Sequence, residues 1–192
     1  MAIAGLYKIF DHWHAQGTVW IYSDPHFSDK ELAAGQFNRP SDAEQVENIN
    51  RKVGRKDTLI ILGDIGDIEV AKKLRGYKIL IMGNHDSGRT NYEGVFNEIY
   101  EGPLMISEKL ILSHEPVDVP WAFNIHGHVH SRNHKNDKRH FNVCAEAINF
   151  TPINFNQWVK QGYFSRIETI HRSTIDGATA RKAKRGGKKI RV

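Results

Sequence analysis

Short apolar runs separated by polar stretches recur along the first half of the chain and predict alternating strands and helices. Three runs rich in β-branched or aliphatic residues predict buried strands, namely TVWIYS (18–23), DTLIILG (57–63) and YKILIMG (77–83). Between them, Ser41 is placed to cap a helix over DAEQVENINRKV. The segment IEVAKKL (68–74) has helical character, and Gly76 is placed to end that helix. The alternation predicts an α/β domain.

The second half of the chain is richer in strand patterns. YEGVFNEIY (92–100) predicts one further helix, whereas LMIS and KLILS (104–113) predict the two strands of a hairpin. AFNIHG (122–127) and HFNVCAE (140–146) predict two more strands. Helices near the start of the domain followed mostly by strands indicate a mixed sheet system.

The two ends of the chain differ from the middle. Apolar side chains at helical spacing in the first 16 residues predict a short packing helix. Thr151 followed by Pro152 is typical of a helix start and predicts a helix over INFNQWVKQ that ends at Gly162. These patterns divide the chain into a packing extension (1–17), one domain (18–172) and a basic tail (173–192).

The composition is that of a globular domain and excludes several other classes. Of 192 residues, 40% are hydrophobic and 26% are charged, as is usual for soluble domains. Apolar runs such as LIIL (59–62) are far shorter than the ~18 residues of a membrane span. Cys144 is the single cysteine, so no intrachain disulfide can form. Because a charged leader and a cleavage site are also missing, we expect a cytoplasmic protein without membrane contact.

The positive net charge belongs to one end of the chain. Residues 181–192 (RKAKRGGKKIRV) contain seven lysines and arginines and no acid, which leaves 20 of the 27 basic residues against 22 acidic ones elsewhere. The alkaline character therefore says little about the surface of the domain itself. The tail is the candidate for nucleic-acid contact, and a solvated terminus is the plainer interpretation.

Side chains that bind metals follow five successive apolar runs, at the point where each predicted strand ends. They are Asp24 and His26, Asp64, Asn84 and His85, His114, and His128 and His130. The carboxyl ends of strands meet at one edge of an open α/β sheet, so we expect these side chains to converge. Oxygen and nitrogen donors suit Mn²⁺, Fe, Zn²⁺ or Ni²⁺. The donors exceed what one ion uses, which favours two ions that share a carboxylate, an arrangement suited to phosphoryl displacement.

The ordered motifs D-x-H, G-D, G-N-H-D, a lone H and G-H-x-H resemble those of the calcineurin-like metallophosphoesterase superfamily. The resemblance covers about residues 18–150, and the short form is similar to the small uncapped phosphoesterases of bacteria and phages. It implies an α/β fold: a β-sandwich of mixed sheets flanked by helices, in four αββα layers.

The resemblance also implies roles for individual residues. Asp24, His26 and His130 are expected to hold one divalent ion, Asn84, His114 and His128 a second, and Asp64 to bridge both. Mn²⁺ is the favoured ion, with Fe, Ni or Zn as alternatives. In this superfamily a hydroxide that bridges the ions attacks phosphorus. His85 is then expected to protonate the leaving group or stabilise charge, with Asp67 as its hydrogen-bond partner, although Asp67 also fits a first-turn helix acid.

The sequence departs from the protein phosphatases of the superfamily. Ile68 stands where those enzymes have an arginine, and Asp86 replaces a glutamate in G-N-H-E. Phosphate contacts must then come from other basic residues near the motifs. The candidates are Arg89, Arg132, Lys135, Lys138 and Arg139. These departures weaken a protein-phosphatase assignment.

Four functions are compatible with the motifs, in decreasing order of preference. The first is a phosphodiesterase acting on small or nucleotide-like diesters. The second is a broad-specificity phosphomonoesterase, because the same metal clamp serves both reactions. The third is a nuclease that uses the basic tail. The fourth is a non-catalytic interaction module on the same fold.

Overall fold

The computed structural model describes residues 6–15, 17–35, 38–130 and 138–164. Strands in these ranges are β1 (Val19–Tyr22), β2 (Thr58–Ile61), β3 (Tyr77–Ile81), β4 (Glu98–Tyr100), β5 (Leu104–Ser107), β6 (Leu110–Ser113), β7 (Phe123–His126), β8 (His140–Asn142) and β9 (Ile153–Asn154). Helices in the same ranges are α1 (Lys30–Ala34), α2 (Asp42–Lys52), α3 (Ile68–Ala71), α4 (Phe155–Lys160) and two 3₁₀ helices, Lys8–His14 and Arg89–Tyr92. Within this part of the chain, every helix is too short or too polar to cross a membrane.

The strands form two mixed sheets. The first has the order β4-β3-β2-β1-β9, in which β1 to β4 run parallel and β9 is antiparallel to β1. The second has the order β5-β6-β7-β8, in which β5 and β6 form the predicted hairpin while β6, β7 and β8 run parallel. In each sheet, neighbouring parallel strands therefore end at the same edge.

The two sheets share a hydrophobic core, and helices cover the other face of the first sheet. Between the sheets, Ile21 and Ile60 of the first belong to the same buried cluster as Leu112 and Ile125 of the second. On the opposite face of the first sheet, a second cluster joins Leu59 and its neighbours to α2 and α3. Burial on both faces explains why β1 and β2 read as continuous apolar runs. The structure confirms the predicted α/β sandwich of mixed sheets flanked by helices.

Helix α2 begins as the sequence predicts. The hydroxyl of Ser41 accepts a hydrogen bond from the backbone N–H of Glu44, and the Glu44 carboxylate accepts one from the N–H of Ser41. This reciprocal pair is a capping box, which satisfies N–H groups that the helix leaves unpaired. Helix α3 covers only the first four residues of the predicted segment, and Gly76 follows with a φ of 92°.

The helix predicted over residues 92–100 is wrong. Tyr92 ends a 3₁₀ helix, Gly94 adopts a positive φ of 80°, and the segment then enters strand β4. Asn97 exchanges hydrogen bonds with Lys78, through its N–H at 2.8 Å and its side-chain oxygen at 2.8 Å, and this aligns β4 with β3. The apolar spacing of this segment is compatible with a helix or a strand. It forms a strand because it can pair with the open edge of β3.

The start of the last helix was also predicted wrongly. Ile153 and Asn154 form β9 against β1, and helix α4 begins only at Phe155. The side chain of Asn154 caps α4 by accepting a hydrogen bond from Gln157 N at 2.9 Å. The packing helix predicted at the amino end is a 3₁₀ helix, whose Trp13 is 1% exposed. The predicted boundary at 172 and the basic tail lie outside the described residues.

Candidate metal centre

Five loops at the carboxyl ends of the strands carry all seven predicted metal ligands to one edge of the sandwich. The loops after β1 and β2 are joined by hydrogen bonds from Asp24 N to Gly63 O (3.2 Å) and from His26 N to Asp64 O (2.9 Å). The φ angles of Asp24 and Asp64 are both 55°, which non-glycine residues rarely adopt. The paired loops hold this sharp turn, which directs both carboxylates to the same place.

The first donor group consists of Asp24, His26 and His130. Asp24 Oδ1 lies 4.0 Å from His26 Nε2 and 3.7 Å from His130 Nε2. Asp24 is fully buried and His26 is 7% exposed. The rings of His26 and His130 are 5.1 Å apart between centroids. The Asp24 carboxylate is thus flanked by both imidazoles, and the donor atoms of Asp24, His26 and Asp64 all lie within 4.8 Å of one another.

The second donor group consists of Asn84, His114 and His128. The Nε2 atom of His114 lies 2.8 Å from Asn84 Oδ1 and 3.1 Å from His128 Nδ1, and those two atoms are 3.0 Å apart. His114 Nδ1 is 2.8 Å from the carbonyl oxygen of Leu62. Because a carbonyl can only accept, that nitrogen carries the hydrogen and Nε2 keeps its lone pair. Three donor atoms from three loops therefore meet in a tight triangle.

Asp64 lies between the two groups. Its Oδ2 is 3.3 Å from His26 Nε2 and 3.4 Å from His114 Nε2, and its Oδ1 accepts a hydrogen bond of 3.0 Å from His85 N. Burial raises the pKa of Asp64, but the close approach of His26, the hydrogen bond from the His85 N–H and the neighbouring His114 outweigh burial and hold that pKa below its ordinary value. Asp64 is therefore ionised and touches both donor groups.

The donors fit divalent metal ions. The Nε2 atom of His26 is buried and has no hydrogen-bond partner in the structure, yet it lies against the Asp24 and Asp64 carboxylates. Such an orphaned buried nitrogen is costly unless something binds it. The set is made of imidazole, carboxylate and amide oxygen, which suits Mn²⁺, Fe, Ni²⁺ or Zn²⁺.

Glycines in the motifs leave room for this packing. A side chain at Gly83 would collide with Asp64 Oδ1 and would lie 2.8 Å from His114 Nδ1. A side chain at Gly127 would collide with the side chains of Ser23 and Asp24. Gly63 additionally has a φ of 84°. Close approach, more than turn geometry, therefore explains the glycines before Asn84 and His128.

Comparison with known proteins identifies the family. The model of the calcineurin-like phosphoesterases matches residues 17–175. The chain belongs to this family. It is accordingly a metal-dependent phosphoesterase by descent, as the motifs predict. Comparison with curated proteins gives no significant match.

One solved structure shares the fold, and two others match at lower scores. A protein of unknown function from Aquifex aeolicus is 24% identical, with a TM-score of 0.61 and with 75% of this chain and 98% of that chain covered. A nuclease from Pseudomonas putida is 21% identical, with a TM-score of 0.44 and coverage of 58% and 61%. A phosphoesterase from E. coli is 16% identical, with a TM-score of 0.40 and coverage of 72% and 82%. At these identities the likeness concerns the fold alone.

His85 lies at the mouth of the site. It is exposed, and its ring packs edge-on against His26, with 5.5 Å between ring centroids. The structure does not form the predicted hydrogen bond between His85 and Asp67. The Asp67 carboxylate instead caps α3 by accepting from Glu69 N at 2.9 Å, and it accepts from the Ser28 hydroxyl at 3.0 Å. The cap position takes Asp67 away from His85, so the alternative helix role describes its contacts.

Two of the candidate phosphate-binding residues, Arg89 and Arg139, form hydrogen bonds with other groups of the protein. Arg89 donates to the carbonyl of Ile99 at 3.0 Å. Arg139 donates to the Asp118 carboxylate at 2.6 Å. Lys138 is exposed. Arg132 and Lys135 lie outside the described residues.

Three residues that the sequence analysis missed surround the first donor group. Glu146 is fully buried and its Oε2 lies 3.1 Å from His130 Nδ1. Arg39 donates to Glu146 and to the carbonyl of Asp24. The Cys144 thiol donates to Asp24 Oδ2 at 3.1 Å, and burial raises the pKa of that thiol far above its ordinary value. Glu146 and Cys144 lie within the strand predicted over residues 140–146, and because β8 ends at Asn142 they stand in the loop after it, where the strand-end signal would have pointed to them.

Charge from these neighbours acts on His130. Burial opposes protonation of His130, but its hydrogen bond to Glu146 and the Asp24 charge outweigh burial and raise the pKa of His130. Burial likewise raises the pKa of Glu146, yet the hydrogen bond to His130 and the Arg39 charge hold it below its ordinary value. Glu146 is therefore an anion beside the ring of His130.

Proposed function

We propose that the protein hydrolyses small or nucleotide-like phosphodiesters with two divalent ions held at this edge. The observation that carries the proposal is the position of Asp64. One of its oxygens lies 3.3 Å from His26 Nε2 and 3.4 Å from His114 Nε2. A single carboxylate within reach of both donor groups is what two ions sharing a ligand require.

In the proposed site, the first donor group holds one ion, the second donor group holds the other, and Asp64 contacts both. Such ions would withdraw charge from the phosphoryl oxygens and activate water for the attack. Mn²⁺ is the favoured ion, and the same donors accept Fe, Ni²⁺ or Zn²⁺. His85, exposed beside His26, gives a proton to the leaving oxygen or stabilises charge on the phosphoryl group.

The use of arginines near the site supports a diester. A phosphomonoester carries more negative charge than a diester and gains more from a guanidinium. Arg39 is paired with Glu146, Arg89 with the Ile99 carbonyl and Arg139 with Asp118. Because these described arginines are engaged by protein groups, the site matches the singly charged diester better.

The first test compares two chromogenic esters of the same alcohol. Metal-stripped protein is assayed with bis(p-nitrophenyl) phosphate and with p-nitrophenyl phosphate, before and after addition of Mn²⁺. We expect hydrolysis only with metal, and faster release from the diester. A large preference for the monoester would make the protein a phosphomonoesterase. A folded protein that cleaves neither ester with any of the four metals would be a non-catalytic module.

The basic tail keeps a nuclease as a further candidate, after the diesterase and the monoesterase. Residues 181–192 contain seven basic residues and no acid, and they lie outside the described residues. If a polynucleotide is the substrate, deletion of this segment raises the KM for it far more than the KM for the small diester, because phosphate contacts by Lys and Arg dominate such binding. Equal effects on both KM values would leave the small diester as the substrate class.

A further inference from the structure

A buried ion pair stands directly behind the first donor group. The carboxylate of Glu146 is fully buried, and the Arg39 side chain is 3% exposed. Arg39 NH1 donates to Glu146 Oε1. Removing two charges from water is expensive, so an ion pair in this position needs further contacts to be tolerated. Two of those contacts lead to candidate ligands, one to His130 and one to the backbone of Asp24.

One of these contacts determines which nitrogen of His130 carries the hydrogen. Glu146 Oε2 lies 3.1 Å from Nδ1 of His130. An ionised carboxylate only accepts hydrogen bonds, so Nδ1 must be the donor. In the neutral ring, the form that can bind metal, Nε2 then keeps its lone pair, and it lies 3.7 Å from Asp24 Oδ1. A carboxylate that fixes the tautomer of a ligating histidine is a recurring element of metal sites.

Arg39 connects this carboxylate to the other side of the same donor group. Its NH2 donates to the carbonyl of Asp24 at 2.9 Å and to the carbonyl of Pro25 at 2.6 Å. The planar guanidinium therefore holds the loop that carries Asp24 and the turn that carries Glu146 at a fixed separation. Glu146 and Arg39 together constrain ligands that come from two distant parts of the chain.

We propose that Glu146, held by Arg39, is the positioning residue of the first donor group. It keeps the hydrogen of His130 on Nδ1 and presents Nε2, together with Asp24 and His26, to one of the two ions. The inference rests on the proposed function, because it takes His130 as a ligand. If the ion pair were purely structural, its substitution would lower folding stability and would not change the affinity for one ion more than for the other.

The substitution Glu146→Gln separates the two roles, because it keeps the shape of the side chain and reverses one contact. Arg39 can only donate, so it takes the amide oxygen, and the amide NH₂ then faces His130 Nδ1. That nitrogen must accept, which moves the ring hydrogen to Nε2, the atom proposed to bind metal. We expect the variant to lose roughly 10–100-fold in affinity for one of the two ions and to keep its affinity for the other.

The measurement is a titration of the metal-stripped full chain with Mn²⁺ against a chromophoric chelator. Glu98→Gln is the matched control, because it also replaces a carboxylate that contacts a histidine. Glu98 Oε1, on β4, lies 2.6 Å from Nε2 of His12, on the amino-terminal 3₁₀ helix. The control is expected to bind both ions as the wild type does. Unchanged affinity for both ions in folded Glu146→Gln would overturn the proposal.

A second readout does not depend on metal. Long-range ¹H–¹⁵N spectra of the metal-free full chain report the tautomer of His130, whose signal is assigned by its loss in His130→Asn. At a pH above the raised pKa of His130, where the ring is neutral, we expect hydrogen on Nδ1 in the wild type and on Nε2 in Glu146→Gln, and the same tautomer in both proteins would refute the inference. If Glu146→Gln does not fold, Arg39→Met/Glu146→Leu leaves no unpaired buried charge and no acceptor for the Nδ1 hydrogen of His130, and it is titrated instead, with a loss of affinity for one of the two ions expected. A wild type that shows the Nδ1 tautomer but binds no metal ions would overturn the proposed function and leave the tautomer assignment standing.

Discussion

The carboxylate of Asp86 holds the backbone of Asp64 in place. Asp86 Oδ2 accepts hydrogen bonds from Asp64 N at 2.9 Å and from Gly83 N at 2.7 Å. Its Oδ1 accepts from Ile65 N at 2.9 Å and from the Tyr92 hydroxyl at 3.0 Å. One side chain thus ties the loop after β3 to the loop after β2. The last residue of the G-N-H-D motif acts here as a brace for the residue proposed to bridge both ions.

Replacing Asp86 by alanine is expected to lower both stability and metal binding. The change leaves three backbone N–H groups without their acceptor, at a cost of roughly 2–4 kcal/mol in the free energy of unfolding. Urea unfolding of the metal-free protein measures that cost. Tyr92→Phe is the matched control, since it removes the fourth donor to Asp86, together with the acceptor of the Ser87 N–H, and should cost about 1 kcal/mol. Equal losses in the two variants would mean that the backbone contacts contribute little.

The sequence predicts that the candidate donors converge, because each one stands in a loop that follows a buried strand. Asp24, Asp64 and His114 need only the strand pattern and the rule that parallel strands end at one edge. The same local logic fails for Tyr92–Tyr100, where helical and strand spacing are indistinguishable and the open edge of β3 decides. It fails again at Asn154, whose pairing with β1 lies far away in the sequence.

Residues that act through contacts between distant segments are beyond a motif. Glu146 meets Arg39 across 107 positions of sequence, and no spacing rule connects them. Asp67 shows the opposite error. Its position after Asp64 favours a pairing with His85, but a helix starts at the next residue and its backbone N–H groups are the nearer donors. Arg89 likewise follows the G-N-H-D motif in sequence, yet its guanidinium donates to the carbonyl of Ile99 on β4.

Asp64→Asn is expected to impair both ions together. The neutral amide offers one oxygen in place of a charged carboxylate, and that carboxylate lies within 3.4 Å of a histidine of each donor group. Metal analysis of the Mn²⁺-loaded, desalted protein should give about two ions for the wild type and fewer than one for the variant. Near-normal metal content and rate in Asp64→Asn would defeat the bridging role.

A single-group variant gives the comparison that this prediction needs. His114→Ala removes one corner of the second triangle and leaves Asp24, His26 and His130 in place. It should therefore retain about one ion while losing hydrolysis, because the two-ion clamp is incomplete. If His114→Ala lost as much metal as Asp64→Asn, the two donor groups would not be separable sites.

His85→Ala is expected to separate metal binding from turnover. The ring is exposed and only its backbone N–H contacts Asp64, so alanine keeps that hydrogen bond. Metal content should stay at the wild-type value while kcat falls by roughly 10²–10⁴, the usual range for loss of a general acid. The fall should be smaller for a diester whose leaving group needs no protonation. Loss of metal from His85→Ala would instead mark His85 as a ligand.

Glu98 should make stability depend on pH at the edge of the sheet away from the ligands. Burial raises the pKa of Glu98, but hydrogen bonds from Tyr100, His12 and Trp13 outweigh burial and lower that pKa below its ordinary value of 4.5. A lowered pKa in the folded state means that Glu98 contributes stability above pH 4.5 and that this contribution is lost as the pH falls through the lowered value. Glu98→Gln should therefore be less stable than the wild type at neutral pH and approach it in acid.

Urea unfolding of the metal-free proteins at neutral pH and at a series of acidic pH values measures this difference. Glu101→Gln is the matched control. Glu101 is exposed and lies directly after β4, three residues beyond Glu98, so its substitution should change stability by less than about 0.5 kcal/mol at any pH. The gap between wild type and Glu98→Gln should begin to narrow below pH 4.5 and close once the pH lies below the lowered pKa of Glu98, where both side chains are uncharged in the folded protein. A gap that stays constant with pH would show that shape alone, and not the charge on Glu98, holds the amino-terminal helix to β4.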